Sequence, residues 1–161
     1  LGLEQRVGVP EQTTLRELET RCEQARDRLV ARVEAAYVGP PALSQLREAV
    51  RAALPLDPDR RREWRDWLQL RARSDAQGEL VGDPQQGIET WRDSNIDRVS
   101  HLQDAGLVRD DLNPGELLAA IRALAVGAGA RLVGNASEAS AEKELRMLDT
   151  FVDSLGTSGR V

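Results

Sequence analysis

Apolar residues recur along this chain at helical spacing, and one segment, residues 114–132, is apolar on nearly every side. Between Leu117 and Ala130 the only charged residue is Arg122. A helix with one apolar stripe lies on the surface of a domain, whereas a helix that is apolar all round must be covered on more than one side. We therefore predict that one side of this helix faces the core of its own chain and that another faces a second copy of the chain.

The two sides of this helix differ in the size of their side chains. The larger side chains form the stripe Leu117, Ile121, Leu124, Ala128 and Leu132. The smaller ones form the stripe Ala119, Ala123, Val126 and Ala130. Because small residues let two helices approach closely, we predict that the small-residue stripe meets the second copy.

The whole pattern predicts an all-α fold, an antiparallel bundle of about six helices, because alternating strand-like runs are absent. Helix starts are marked by Thr14 followed by Glu17, and by the pairs 57–58, 83–84 and 113–114, in which Asp or Asn precedes Pro. The predicted helices cover about residues 14–37, 41–54, 59–72, 83–104, 114–132 and 137–155.

Composition narrows the class of protein. The length of 161 residues suits one domain with a core. A net charge of −5 argues against electrostatic binding of nucleic acid by these residues. Cys22 is the only cysteine, which excludes an intrachain disulfide, and no secretion signal or membrane-spanning run is expected. These features predict a cytoplasmic protein that does not act on membranes.

Candidate catalytic and metal-binding residues are few. His101 is the only histidine and lies near a predicted helix end, where the helix dipole accounts for it. No cluster has the spacing of metal ligands, and no nucleophile has an adjacent base. Cys22 lies on an apolar stripe and suits a core position better than a redox sensor. The run of arginines at residues 60–62 is predicted to pair with neighbouring acids at a helix start. We therefore predict neither an enzyme nor a cofactor.

Three segments carry a family resemblance, residues 43–70, 91–112 and 114–155, and its strongest part lies in two stretches. Residues 54–68 read LPLDPDRRREWRDWL, and residues 105–114 read AGLVRDDLNP ahead of the apolar helix. With the two last helices, this order resembles the C-terminal regulatory domain of TetR-family transcriptional repressors, in the betaine-regulator-like subgroup. The resemblance extends over about residues 14–155.

The resemblance implies an effector-binding and dimerisation domain at residues 14–156, which releases DNA when a small molecule binds. Residues 1–13 would be a remnant or linker of a helix-turn-helix domain that is mostly absent, and residues 157–161 a frayed tail. Operator DNA would be bound only through that N-terminal domain, which is not evident in this sequence. The alternative is a stand-alone helical module for dimerisation or protein interaction, without DNA binding.

The resemblance also assigns residues to two sites. The homodimer would form through the last two helices, as a four-helix bundle. Its predicted interface residues are Ala119, Ala123, Val126, Ala130, Leu145, Leu148 and Val152. The larger stripe of the apolar helix would then close the effector cavity. The predicted effector-binding residues are Trp64, Trp67, Leu68, Arg71, Trp91, Asn95 and Ile121.

Alternatives remain open for the most distinctive of these residues. Each tryptophan could shape a cavity that accepts an apolar or cationic molecule, or it could fill the core. Arg71 and Asn95 fall in phase with apolar neighbours, so each needs a polar partner if it is buried. That partner could be a group of the ligand or an internal acid such as Asp66 or Asp97.

Overall fold

A computed structural model describes residues 14–77 and 85–157 of the chain, with side chains for residues 14–73 and 93–157. Within this part, six helices and no strands are found, so the predicted all-α fold is confirmed. The helices are α1 Leu15–Ala35, α2 Leu43–Ala53, α3 Pro58–Gln77, α4 Gln85–Asp104, α5 Pro114–Gly134 and α6 Glu138–Leu155. Only α3 differs clearly from its prediction: it continues past Ala72, because no glycine or proline interrupts the sequence before residue 78.

Local capping chemistry explains where three helices begin. Thr14 and Glu17 form a reciprocal capping box, in which each side chain accepts a hydrogen bond from the other residue's backbone N–H. At α5, the Asn113 side chain accepts a hydrogen bond from the Gly115 N–H at 2.8 Å. At α6, Ser137 caps the helix through the Ser140 N–H at 3.2 Å. The sixth helix therefore begins directly after Ser137, in agreement with its predicted start.

The main hydrophobic core is built by α2, α4, α5 and α6, together with the turn that precedes α5. Its described members are Leu46, Val50, Leu54, Val99, Leu102, Val108, Leu117, Ile121, Ala128, Leu132, Leu148, Val152 and Leu155. None of these residues belongs to α1 or α3. The buried apolar residues of α1 are Leu18 and Val33, which lie outside this cluster. The first and third helices therefore lie beside the main core and contribute little to it.

The segment between α4 and α5 closes the bundle against the end of α6. Gly106 has a φ of +68°, a left-handed conformation that glycine adopts without strain. The chain then turns so that the Arg109 N–H donates to the Leu155 carbonyl at 2.8 Å, and Val108 forms an antiparallel bridge with Gly156. This turn fixes the start of α5 relative to the end of α6.

Helix α5 corrects one expectation from the sequence. It is long and apolar enough to cross a bilayer by length and composition, although no such run was expected. A core helix of a soluble protein meets the same criterion, so one helix of this kind is weak support for a membrane span. In the structure, α5 contacts α2, α3, α4 and α6.

Candidate functional site

Helix α3 presents two different sides to its neighbours, α1 and α5. Towards α1 it presents Glu63 and Asp66, which form ion pairs with arginines of that helix. Towards α5 it presents Trp64, whose ring lies at Gly129. Trp67 and Arg71 follow Trp64 by three and seven positions, so on the helix they lie between the Glu63 side and the Trp64 side. The candidate effector site is thus the region between α1 and α5 beside α3.

Trp64 is held by contacts with two other helices, α2 and α5. Its indole N–H donates a hydrogen bond to the carbonyl of Ala53 at 3.0 Å, at the end of α2. Its six-membered ring lies so close to α5 that a Cβ on Gly129 would be 2.2 Å from the ring. The absence of a side chain at Gly129 therefore lets α3 and α5 approach. In this arrangement Trp64 joins three helices and acts as a half-buried filler.

Trp67 completes an aromatic pair with Trp64. The ring centroids are 5.4 Å apart and the planes are inclined by 71°, an edge-to-face contact. The guanidinium carbon of Arg71 lies 5.7 Å from the centroid of Trp67. Arg71 is otherwise exposed, and Asp66, its suggested partner, pairs with Arg21 at 3.5 Å. The ring of Trp67 therefore already accepts a cation from its own chain.

The remaining predicted effector residues are distributed unevenly. Asn95 is buried, with 5% exposure, and has an interaction partner, as the cost of burying a free amide requires. Leu68 is half-buried on α3. Ile121 is buried in the main core, so in this arrangement it offers no surface to a ligand. The side chain of Trp91 lies outside the described residues.

Neither Trp64 nor Trp67 lines either of two clefts on the surface of the described residues. The first, of about 630 Å³, lies between α1 and the start of α3 and has only polar and charged lining residues. The second, of about 430 Å³, is lined by residues of α1, α2 and α4 and of the segment between α1 and α2. There the Arg98 guanidinium stacks on Tyr37 at 4.8 Å and pairs with Glu34 at 3.8 Å. Burial raises the pKa of Tyr37, against the opposing effect of Arg98.

Sequence reasoning missed the ion pairs that connect α1 to α3. Glu63 accepts hydrogen bonds from Arg28 at 2.6 Å and from Arg32 at 2.9 Å. Burial alone would raise the pKa of Glu63, but the bonds from both arginines outweigh it and hold that pKa below its ordinary value. The four-residue spacing of Arg28 and Arg32 was the available signal, since it places both on one side of a helix.

The predicted dimer residues fall into two groups. Ala119, Ala123, Val126 and Ala130 are all exposed along α5 and are free to meet another surface. On α6 the rotation differs from the expectation: Leu145 is half-buried, and Leu148 and Val152 are buried in the chain's own core. The exposed large apolar residue of α6 is Met147, beside those positions. The larger stripe of α5 also lies in the main core and does not line an open cavity, with Leu124 at its edge.

The other singled-out residues have ordinary structural surroundings. Burial raises the pKa of the half-buried Cys22 thiol to about 11, so the reactive thiolate is scarce at neutral pH. His101 is exposed in the last turn of α4. Arg60 and Arg62 pair with Asp57 and Asp59, as predicted for a charged helix start. Among the described residues, no group of three or more His, Cys, Asp or Glu side chains could hold a metal ion.

The described part of the chain is thus a bundle of six helices, one of which, α3, carries an aromatic pair. Residues 42–157 match the sequence profile of the family described as BetI-type transcriptional repressor, C-terminal. A solved structure with the same fold is a protein from Saccharomonospora viridis, assigned as a transcriptional regulator and crystallised in complex with choline. Its TM-score is 0.68 at 23% identity, over 88% of this chain and 72% of that one. No curated protein matches the sequence.

The chain therefore belongs to the BetI-type transcriptional repressors of the TetR family, through its C-terminal domain. Regulators of this family are dimeric and bind small-molecule effectors. They are typically soluble, cytoplasmic and not enzymes. The resemblance found in the sequence segments at residues 54–68 and 105–114 is thereby confirmed.

Proposed function

We propose that this domain binds a small organic cation of the quaternary ammonium class, such as choline, as the effector of a repressor that is not an enzyme. The observation that carries the proposal is the aromatic pair of Trp64 and Trp67, with a guanidinium already on the face of Trp67. A tryptophan face attracts organic cations through its quadrupole. The choline found in the similar Saccharomonospora viridis protein supports the same class of ligand.

The effector would lie beside Trp67, between α1 and α5. Arg71 occupies that ring face, so it would have to turn away when a cation binds. Because Arg71 is exposed, its side chain can reach water at little cost. Asn95, which is buried on α4, is a candidate for a polar contact with the ligand.

The domain would act as a homodimer whose interface combines the exposed small-residue stripe of α5 with Met147 of α6. This interface retains the predicted residues Ala119, Ala123, Val126 and Ala130. It leaves out Leu148 and Val152, because both are buried in the core of their own chain. Operator DNA would be bound by an N-terminal helix-turn-helix domain preceding α1. Movement of α1 on effector binding would change the separation of the two DNA-binding domains, which must match half-sites one helical turn apart.

The test is a calorimetric titration of the chain with choline, compared between the natural protein and two variants. Trp67→Ala removes the ring and should weaken binding by at least about tenfold. Arg71→Ala removes a competing cation from the same ring and should tighten binding by about two- to fivefold. The two variants are therefore expected to shift choline affinity in opposite directions.

Tyr37→Ala is the matched control, because Tyr37 also carries a stacked arginine but lies in the other cleft. Its choline affinity should remain close to that of the natural chain. If Tyr37→Ala abolishes choline binding and Trp67→Ala does not, the effector site lies in the cleft beside α2. An absence of choline binding to the natural chain would refute the proposed ligand class.

A further inference from the structure

We propose that Glu63 is the positioning residue of an ionic latch, which we define as Glu63 with Arg28 and Arg32, and that this latch couples the effector site to α1. The role of α1 as the helix that carries the DNA-binding domain rests on the proposed function. The latch itself rests on contacts between α1 and α3 alone. No ligand is required for it to form.

The latch is a two-to-one arrangement of charges. Arg28 and Arg32 are one helical turn apart on α1, and both donate to the carboxylate of Glu63, at 2.6 and 2.9 Å. The Glu63 side chain is only 14% exposed, so solvent screens these pairs less than pairs on an open surface. A third ion pair, between Arg21 and Asp66 at 3.5 Å, lies further along the same two helices.

The buried apolar residues of α1 are Leu18 and Val33, and neither lines the cleft beside the start of α3. The main hydrophobic core includes no described residue of α1. The surface between α1 and the start of α3 is a cleft lined only by polar and charged side chains. Along this surface, the relative position of the two helices therefore depends on charge pairing, which is directional and sensitive to salt.

The latch and the aromatic pair share one rigid helix. Glu63 is adjacent to Trp64 and one helical turn before Trp67. A cation that binds on Trp67 and displaces α3 therefore moves the Glu63 carboxylate by a similar amount. Because two arginines follow that carboxylate, α1 moves with it. Loss of the Glu63 charge should uncouple α1 from effector binding, although the Trp67 ring that would bind the effector remains.

The chain contains a matched control for this arrangement. Asp149 of α6 holds Arg47 and Arg51, which are also one turn apart, on α2. This second cluster also places one carboxylate between two arginines, and Arg47 has Asp153 as a further partner. It joins two helices that also share the main core, so α2 stays in place without it. Asp149→Asn therefore removes one carboxylate shared by two arginines, as Glu63→Gln does, without releasing α1.

The experiment measures amide hydrogen exchange of the full chain with and without choline. In Glu63→Gln, exchange of the α1 amides should rise by about tenfold, while α2 and α5 change little. In the natural chain, choline should alter α1 exchange. In Glu63→Gln that alteration should disappear, although the choline dissociation constant stays within about threefold. The charge-reversed triple variant R28E/R32E/E63R should restore both the protection and the response.

The latch would be overturned if amide exchange in α1 did not change in Glu63→Gln, or if it rose equally in Asp149→Asn. It would also be overturned if choline still altered α1 exchange in Glu63→Gln. If Glu63→Gln does not fold, the natural chain supplies the test. Raising NaCl from about 0.05 M to about 1 M should then increase exchange in α1 but not in α2. If choline does not bind the natural chain, the proposed ligand fails, while the comparison of unliganded α1 exchange still decides the latch.

Discussion

The contact between Gly129 and Trp64 shows how one missing side chain sets the distance between two helices. Trp64 cannot retreat freely, because its indole N–H is bonded to Ala53 at the end of α2. A methyl group on Gly129 would therefore force the ring or the helix to move. The same helix offers a comparison at Gly127, where an added Cβ would meet only the flexible end of Arg131, at 3.4 Å.

Gly129→Ala is expected to destabilise the domain by about 1–3 kcal/mol, because overpacking outweighs the gain in helix propensity. Gly127→Ala should be neutral or stabilising by up to about 1 kcal/mol. Urea unfolding followed by tryptophan fluorescence measures both. Combining Gly129→Ala with Trp64→Leu should cost less than the sum of the two changes. Equal stability of the two alanine variants would contradict the contact.

At the scale of elements, α5 and α6 are joined by a charge pair as well as by the core. Arg131 binds both carboxylate oxygens of Glu144, at 2.7 and 2.8 Å, and Glu144 is only 6% exposed. The bond from Arg131 lowers the pKa of Glu144, against the opposing effect of burial. Because the pKa of Glu144 is lower in the folded state than in the unfolded state, its pairing with Arg131 stabilises the fold at pH values above the unfolded pKa. This stabilisation is lost as the pH falls through the pKa of the folded state.

Glu144→Gln is expected to lower the free energy of unfolding at pH 7 by about 1–2 kcal/mol, since a charged hydrogen bond becomes a neutral one. The difference from the natural chain should shrink as the pH falls through the lowered pKa of Glu144 and the natural carboxylate takes up its proton. Urea titrations across this range measure it. Glu142→Gln, in an exposed pair within α6, should change stability little at any pH. A pH-independent effect of Glu144→Gln would show that charge is not the cause.

At the scale of the whole molecule, the exposed stripe of α5 is unexplained by the contacts of a single chain. Val126 and Met147 are among the exposed large apolar residues, and they lie on the two helices proposed to form the dimer. Packing α5 and α6 against their two-fold mates would bury this surface in an isologous interface. Such a dimer would place the two copies of α1 in a symmetric relation.

Ala123→Glu should shift the protein from dimer to monomer, because a charge would be buried without a partner at the centre of the stripe. The dissociation constant of the dimer should rise by at least about tenfold, as measured by sedimentation velocity at micromolar concentration. Ala31→Glu introduces the same charge at an exposed position of α1 and should leave the dimer intact. A natural chain that sediments as a monomer would refute the proposed interface.

The sequence alone determined the helices and their starts. The caps at Thr14, Asn113 and Ser137 involve residues two or three positions apart, so they are legible in the local pattern. The apolar character of α5 likewise followed from its own residues. The stretches at residues 54–68 and 105–114 carried the strongest part of the family resemblance, which the profile match over residues 42–157 confirms.

Only the tertiary structure decided which side of each helix is covered. The sequence of α5, which is apolar on nearly every side, does not specify the rotation of that helix. On α6, Leu148 and Val152 face the core of their own chain. Trp64 and Trp67 are three residues apart, yet the first fills a contact and the second accepts a cation. Glu63 and its arginines are more than thirty positions apart, so their pairing depends on how α1 and α3 pack. Local hydrogen bonds follow from neighbouring residues, whereas these partners are set by packing across the fold.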